Sequence, residues 1–189
     1  MIAPAQIPNI ISAARLVAAP ALAALAYLGQ REAFAWLLAA ALVSDIVDGA
    51  IARHFGYVSK LGSLLDSTAD ILIFAVAAYG IWRFHPDMVA QHPVAFGLVI
   101  FLWLAGSVAG FLRYGRLASF HTLLARLAAY VIGGFLAVLF LWGFQAWLFW
   151  AAVSLVVVSQ IEEFLLMALL PNWTPNVGGL YRVLKRRGA

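Results

Sequence analysis

Between Arg126 and Glu162 the chain runs for 35 residues without an Asp, Glu, Lys or Arg. A helix needs roughly 20 apolar residues to cross the hydrocarbon core of a bilayer. This run therefore holds two crossings, with a turn near Gly143-Phe144-Gln145. A second charge-free run of 25 residues, between Asp87 and Arg113, holds one more. The composition agrees: 65% of the 189 residues are hydrophobic and 11% charged, against roughly 45–50% and about 25% in a soluble domain. A mean hydropathy of +0.96 leaves too few polar residues to cover a water-exposed surface. The chain reads as an integral membrane protein.

Six spans fit the pattern, at about 8–29, 34–54, 62–83, 93–113, 120–142 and 146–169. Each is bounded by charge or by turn residues such as Gly29-Gln30-Arg31-Glu32 and His85-Pro86-Asp87. The predicted fold is all-α, a polytopic membrane protein with six transmembrane helices. No internal repeat or soluble domain interrupts it, so residues 1–189 read as one membrane-embedded domain with a basic tail from about 170 to 189. With the N-terminus inside, eight cations (Arg53, Lys60, Arg113, Arg116, Arg182, Lys185, Arg186 and Arg187) face the cytoplasm. Arg31 and Arg83 face the other side, which satisfies the positive-inside rule. Both termini are expected in the cytoplasm. The first nine residues lack the basic start of a signal peptide and are expected to be retained. The formal charge of +4 is carried at membrane edges, which favours anionic lipid over nucleic acid as the partner. Without cysteine there is no disulfide, thiolate metal site or cysteine nucleophile.

Four of the eight acidic residues fall within positions 45–70. Asp45 and Asp48 are three apart, and Asp66 and Asp70 four apart, so each pair shares one helix face. Bringing the faces together makes a carboxylate cluster near the cytoplasmic ends of two antiparallel helices. A charge at mid-membrane costs at least ~2.5–3.5 kcal/mol, and clustered like charges repel. Divalent cations resolve both problems, and an all-oxygen site favours magnesium, manganese or calcium. Stapling of helices by Arg53, Lys60 and Arg15 is the plainer alternative, but three cations do not neutralise four anions. Gly49 and Ala52, one turn from Asp45 and Asp48, leave room for a ligand, and Gly62 permits close backbone approach. Arg53 offers a guanidinium fork suited to a phosphate oxygen. Together these residues suggest phosphoryl or phosphatidyl transfer.

The segment resembles the signature of the CDP-alcohol phosphotransferase family, Asp-x2-Asp-Gly-x2-Ala-Arg-x8-Gly-x3-Asp-x3-Asp. Asp45, Asp48, Gly49, Ala52, Arg53, Gly62, Asp66 and Asp70 all match. The resemblance implies a phospholipid-synthesising transferase that takes CDP-diacylglycerol and an alcohol and releases CMP. It implies two divalent ions, Mg2+ or Mn2+, held by Asp45, Asp48, Asp66 and Asp70, with Asp70 also the catalytic base on the acceptor hydroxyl. Gly49, Ala52, Arg53 and Gly62, with Ser59 and the Pro8-Asn9-Ile10-Ile11 segment, would line the CDP-diacylglycerol pocket. Similar enzymes are often homodimers, and Gly106-x3-Gly110 would let helices pack closely. Location in a bacterial inner membrane, with the active site facing the cytoplasm, is the corresponding expectation.

Signals for the acceptor conflict. Pro8-Asn9, Ser12, Arg15 and Pro20 resemble the opening of phosphatidylglycerophosphate and cardiolipin synthases, whereas Leu65-Asp66-Ser67 with Ala69-Asp70 looks more like phosphatidylserine synthases. Glycerol 3-phosphate is the leading expectation, with phosphatidylglycerol, serine and inositol phosphate as alternatives. Arg113, Arg116 and Arg126 are candidates to bind an acceptor phosphate, or ordinary positive-inside residues. Glu162-Glu163 reads as structural, snorkelling to the interface or pairing with Arg126. A divalent-cation transporter built on the same carboxylates is the alternative from another class; it has no need of Gly49, Ala52 and Arg53 at these offsets.

Overall fold

The structure, a computed structural model, describes residues 7–55, 60–115, 120, 122–172, 174 and 177–187. Side chains are described at 10–47, 62, 65, 66, 68–115, 120, 122–172, 174 and 177–185. The described residues form helices joined by turns, with no strand among them. In chain order the helices are α1 (Ile7–Tyr27), α2 (Arg31–Phe55), α3 (Lys60–Phe84), α4 (Pro86–Gln91), α5 (Pro93–Tyr114), α6 (Leu123–Leu141), α7 (Ala146–Leu169) and α8 (Leu180–Arg187). The six long helices follow the expected spans closely. Among the described residues, α1, α5, α6 and α7 offer runs long and apolar enough to cross a membrane, so the protein is polytopic. Helices α2 and α3 have the length, 25 residues each or about 37 Å at 1.5 Å per residue.

The chain sorts into two compact units. The first comprises residues 1–91 with 136–143; the second comprises 92–135 with 144–189. In the first unit α1 packs along both α2 and α3, while α2 and α3 touch each other only sparsely. The cause is written in α1. Ser12, Arg15, Ala19, Leu22 and Ala26 recur at three- and four-residue intervals, the period of one helix face, and all are buried. Phe34, Leu38 and Ala41 make the matching stripe on α2, and Ala69, Ile73, Ala77 and Ile81 that on α3. At one end the stripe closes with aromatic rings: Phe34 stands edge-on to Phe140, centroids 4.9 Å apart. Gly80 is required there, because a Cβ at this position would overlap the Phe34 ring and lie 3.2 Å from Phe140.

The second unit pairs α5 with α7 and seats α8 against α7. Phe120, Leu166, Met167 and Val183 form its buried apolar cluster, flanked by Tyr114, Phe164 and Leu180. Backbone carbonyls at a helix C-terminus have no partner within the helix. Here Tyr114 Oη donates to Leu170 O at 2.9 Å, and Arg113 Nη2 donates to the same carbonyl at 3.3 Å. The expected turn at Gly143-Phe144-Gln145 lies between α6 and α7, with Gly143 at φ +100°, where L side chains are disfavoured.

Candidate metal and phosphate site

The three stripes of the first unit change character at one end. On α2 the run Phe34, Leu38, Ala41 continues at the same spacing to Asp45. On α3 the stripe Ile81, Ala77, Ile73 runs back to Asp70 and Asp66, and on α1 it runs back to Arg15 and Ser12. Because successive helices alternate in direction, the N-terminal halves of α1 and α3 and the C-terminal half of α2 lie at the same end. The charged residues therefore meet.

Arg15 stands at the centre of this meeting. Its Nη1 donates to Asp45 Oδ1 at 2.5 Å and to Asp70 Oδ1 at 2.8 Å. Its Nη2 donates to Asp66 Oδ1 at 2.5 Å. One carboxylate oxygen from each aspartate lies within 4.8 Å of the others. Exposure is sharply divided: the Arg15 side chain is 3% exposed, and those of Asp45, Asp66 and Asp70 are 44%, 46% and 41% exposed. The guanidinium forms a floor, and the acids form an open rim above it. One positive charge against three negative ones leaves two negative charges among these groups, the charge of one divalent ion. The donors are all carboxylate oxygens, a set suited to magnesium, manganese or calcium. On chemistry, charge and spacing the residues fit such an ion.

Of the predicted metal ligands, the structure thus gathers Asp45, Asp66 and Asp70. The side chain of Asp48 lies outside the described residues, as do those of Pro8, Asn9, Gly49, Ala52, Arg53, Ser59 and Arg116. Pro8 and Asn9 fall in the first turn of α1, and Asp48, Gly49, Ala52 and Arg53 in the last turns of α2. Ile10 is exposed and Ile11 half-buried on α1, and Gly62 is half-buried on α3. Arg113 and Arg126 belong to the second unit, where Arg113 reaches Leu170 O and Arg126 is exposed on α6. Glu162 accepts the Leu180 backbone N–H at 2.9 Å, and Glu163 accepts a backbone hydrogen bond from Phe120.

The pairing of Arg15 with the acids, the plainer alternative in the sequence, is what the structure shows for Asp45, Asp66 and Asp70; its central place among them is what sequence reasoning missed. The available signal was its register, since it shares the small-residue face of Ser12, Ala19 and Ala26.

A family model described as CDP-alcohol phosphatidyltransferase matches residues 5–158, most of the chain. The protein belongs to the CDP-alcohol phosphatidyltransferase family. It is 39% identical over 84 residues to a CMP-forming cardiolipin synthase of Streptomyces coelicolor, a match covering 41% of this chain and 39% of that protein. It is 37% identical over 76 residues to a CDP-diacylglycerol–glycerol-3-phosphate 3-phosphatidyltransferase of Cereibacter sphaeroides, covering 38% of this chain and 34% of that protein. A putative cardiolipin synthase of Mycobacterium tuberculosis is 29% identical over 187 residues, covering 83% of this chain and 86% of that protein. The matches to the first two thus span under two fifths of each relative's length. No solved structure matches the chain.

Proposed function

We propose that this protein transfers a phosphatidyl group from CDP-diacylglycerol to a glycerol hydroxyl and releases CMP, with glycerol 3-phosphate as acceptor. The observation that carries the reading is the gathering of Asp45, Asp66 and Asp70, with 41–46% exposed side chains, inside a complete eight-position family signature.

In this reading Asp45, Asp48, Asp66 and Asp70 hold two divalent ions, magnesium or manganese. When bound, the ions neutralise the diphosphate and stabilise the charge that develops on the CMP leaving group. Gly49, Ala52 and Arg53 contact the cytidine diphosphate, helped by Gly62, Ser59 and the Pro8–Ile11 segment. Asp70 takes the proton from the acceptor hydroxyl. The oxygen so freed forms a bond to the phosphorus that carries diacylglycerol, and the bond from that phosphorus to the CMP oxygen breaks. Arg113, Arg116 and Arg126 supply charge for the acceptor phosphate. Helices α2 and α3 complete six crossings, and the whole chain acts as one domain. Both termini and the carboxylates face the cytoplasm of a bacterial inner membrane. Homodimer formation through small residues such as Gly106 and Gly110 belongs to the same reading.

Phosphatidylglycerol is the second acceptor to consider, because the relative aligned over most of the chain bears the name putative cardiolipin synthase. The deciding experiment measures CMP release by the purified protein in detergent with CDP-diacylglycerol and Mg2+ or Mn2+. Glycerol 3-phosphate, phosphatidylglycerol, serine and inositol phosphate are offered in turn. Release with glycerol 3-phosphate alone is the expected result. Release with phosphatidylglycerol alone would move the assignment to cardiolipin synthesis, and no release with any acceptor would overturn the reading.

A further inference from the structure

We propose that Arg15 is the positioning residue of the carboxylate site: it holds Asp45, Asp66 and Asp70 at ligand spacing from behind and so sets how tightly they bind a divalent ion. The inference rests on the metal-dependent reading above, but it concerns ion affinity and not the identity of the acceptor.

Three observations carry it. The first is connectivity. Among the described residues, helices α2 and α3 make far less contact with each other than each makes with α1. Their common neighbour is α1, whose Arg15 touches an acid from each. The second is geometry. The planar guanidinium fixes the directions of its N–H groups, and with these bonds made, one oxygen of each acid falls within 4.8 Å of the others. The three acids are thus linked through one protein group. The third is the division of exposure. At 3% exposure Arg15 approaches from the protein interior, whereas acids more than 40% exposed keep an open side. An ion arriving from that side meets carboxylates already turned toward one another and need not displace the arginine.

Groups that orient metal ligands from behind typically change affinity about 10–100-fold when removed. A helix staple without this role would alter stability and leave affinity alone. A guanidinium that merely competed with the ion would give the opposite sign, because its removal would tighten binding.

The test uses the full chain in detergent, wild type beside Arg15→Lys and Arg15→Gln. Mn2+ affinity is measured by electron paramagnetic resonance titration, and melting temperature is measured in EDTA. Arg15→Gln is expected to bind Mn2+ about 10–100-fold more weakly and to melt lower in EDTA. Arg15→Lys, which keeps the charge and loses the fork, is expected to recover most of the melting temperature but only part of the affinity. If Arg15→Gln does not fold, Arg15→Lys decides alone. Wild-type or tighter Mn2+ binding in either folded variant would overturn the proposal, as would a wild-type protein that binds no Mn2+. A wild type that binds Mn2+ with the expected Arg15 dependence yet releases no CMP would sink the transferase reading and leave this inference standing.

Discussion

Asp70 shows how one side chain is asked to do several things. It shares a stripe with the apolar residues Ile73 and Ala77, accepts a hydrogen bond from Arg15 at 2.8 Å, and keeps 41% of its side chain exposed. In the proposed mechanism it is both ligand and base. Asp70→Asn keeps the shape and one acceptor oxygen but removes the basicity. CMP release should fall by about 10²–10⁴-fold, the usual contribution of a positioned base, while CDP-diacylglycerol still binds. Steady-state CMP release and an equilibrium binding titration check this; a variant with near-normal turnover would return Asp70 to a purely ligating role. Asp66 and Asp70 were legible as neighbours because their four-residue spacing is local. The central place of Arg15 was not, because its partners lie 30 to 55 residues away and no spacing rule ranks it above Arg53 and Lys60 as their partner.

At the scale of elements, the long helices were legible from charge-free length, and the two short ones were not. Pro86 and Asp87 read as a turn, yet proline in the first turn and an acid beside it are also helix-start signals, and α4 begins there. Residues 180–187 read as a basic tail because eight residues are too few to establish a period. What fixes α8 is distant: Glu162 Oε1 accepts the Leu180 N–H, and Val183 packs into the cluster with Phe120 and Leu166. Glu162 thus acts as a helix cap supplied from another helix. Glu162→Ala should loosen α8 by about 0.5–2 kcal/mol, seen as faster hydrogen exchange at its amides; unchanged exchange would assign the order of α8 to Val183 alone. The α3–α4 junction carries a pH dependence. Burial, aided by the charge of Arg31, lowers the His85 pKa from 6.5. A histidine held neutral in the fold gains a proton more readily when unfolded, so its stabilising share is complete above pH 6.5 and lost as pH falls toward the folded value. Melting temperature should therefore drop more between about pH 7 and about pH 5 in wild type than in His85→Gln. Parallel curves would exclude His85 as the group responsible.

For the molecule as a whole, the distribution of cations is the part of the sequence that speaks most directly to orientation. Arg31 and Arg83 belong to the end closed by Phe34 and Phe140, whereas Arg15 and the aspartates mark the opposite end of the first unit. The absence of cysteine makes the topology easy to test, since any thiol introduced is the only one. In intact cells, a membrane-impermeant maleimide should label Gln30→Cys and spare Lys185→Cys until the membrane is opened. The reverse pattern would invert the orientation, and equal labelling would exclude a single topology. Membrane class and family membership were legible from charge-free runs and one signature. The acceptor was not, because acceptor choice rests on contacts that no short motif encodes.

Placing α1 between two partners also sets a timetable for synthesis. Arg15 leaves the ribosome 30 residues before Asp45, 51 before Asp66 and 55 before Asp70. At about 5–20 residues per second, the arginine waits roughly 1.5–11 s for its complement of acids. During that wait the first helix carries a charge without its acids, at a cost that reaches ~2.5–3.5 kcal/mol at the bilayer centre. Nascent chains arrested with only the first helix emerged should therefore insert it less completely than chains arrested after the third, and Arg15→Leu should erase the difference. Equal insertion at both lengths would mean that the translocation machinery shelters the charge. If the difference is seen, the carboxylate cluster is also a checkpoint of biogenesis, completed only when the third helix arrives.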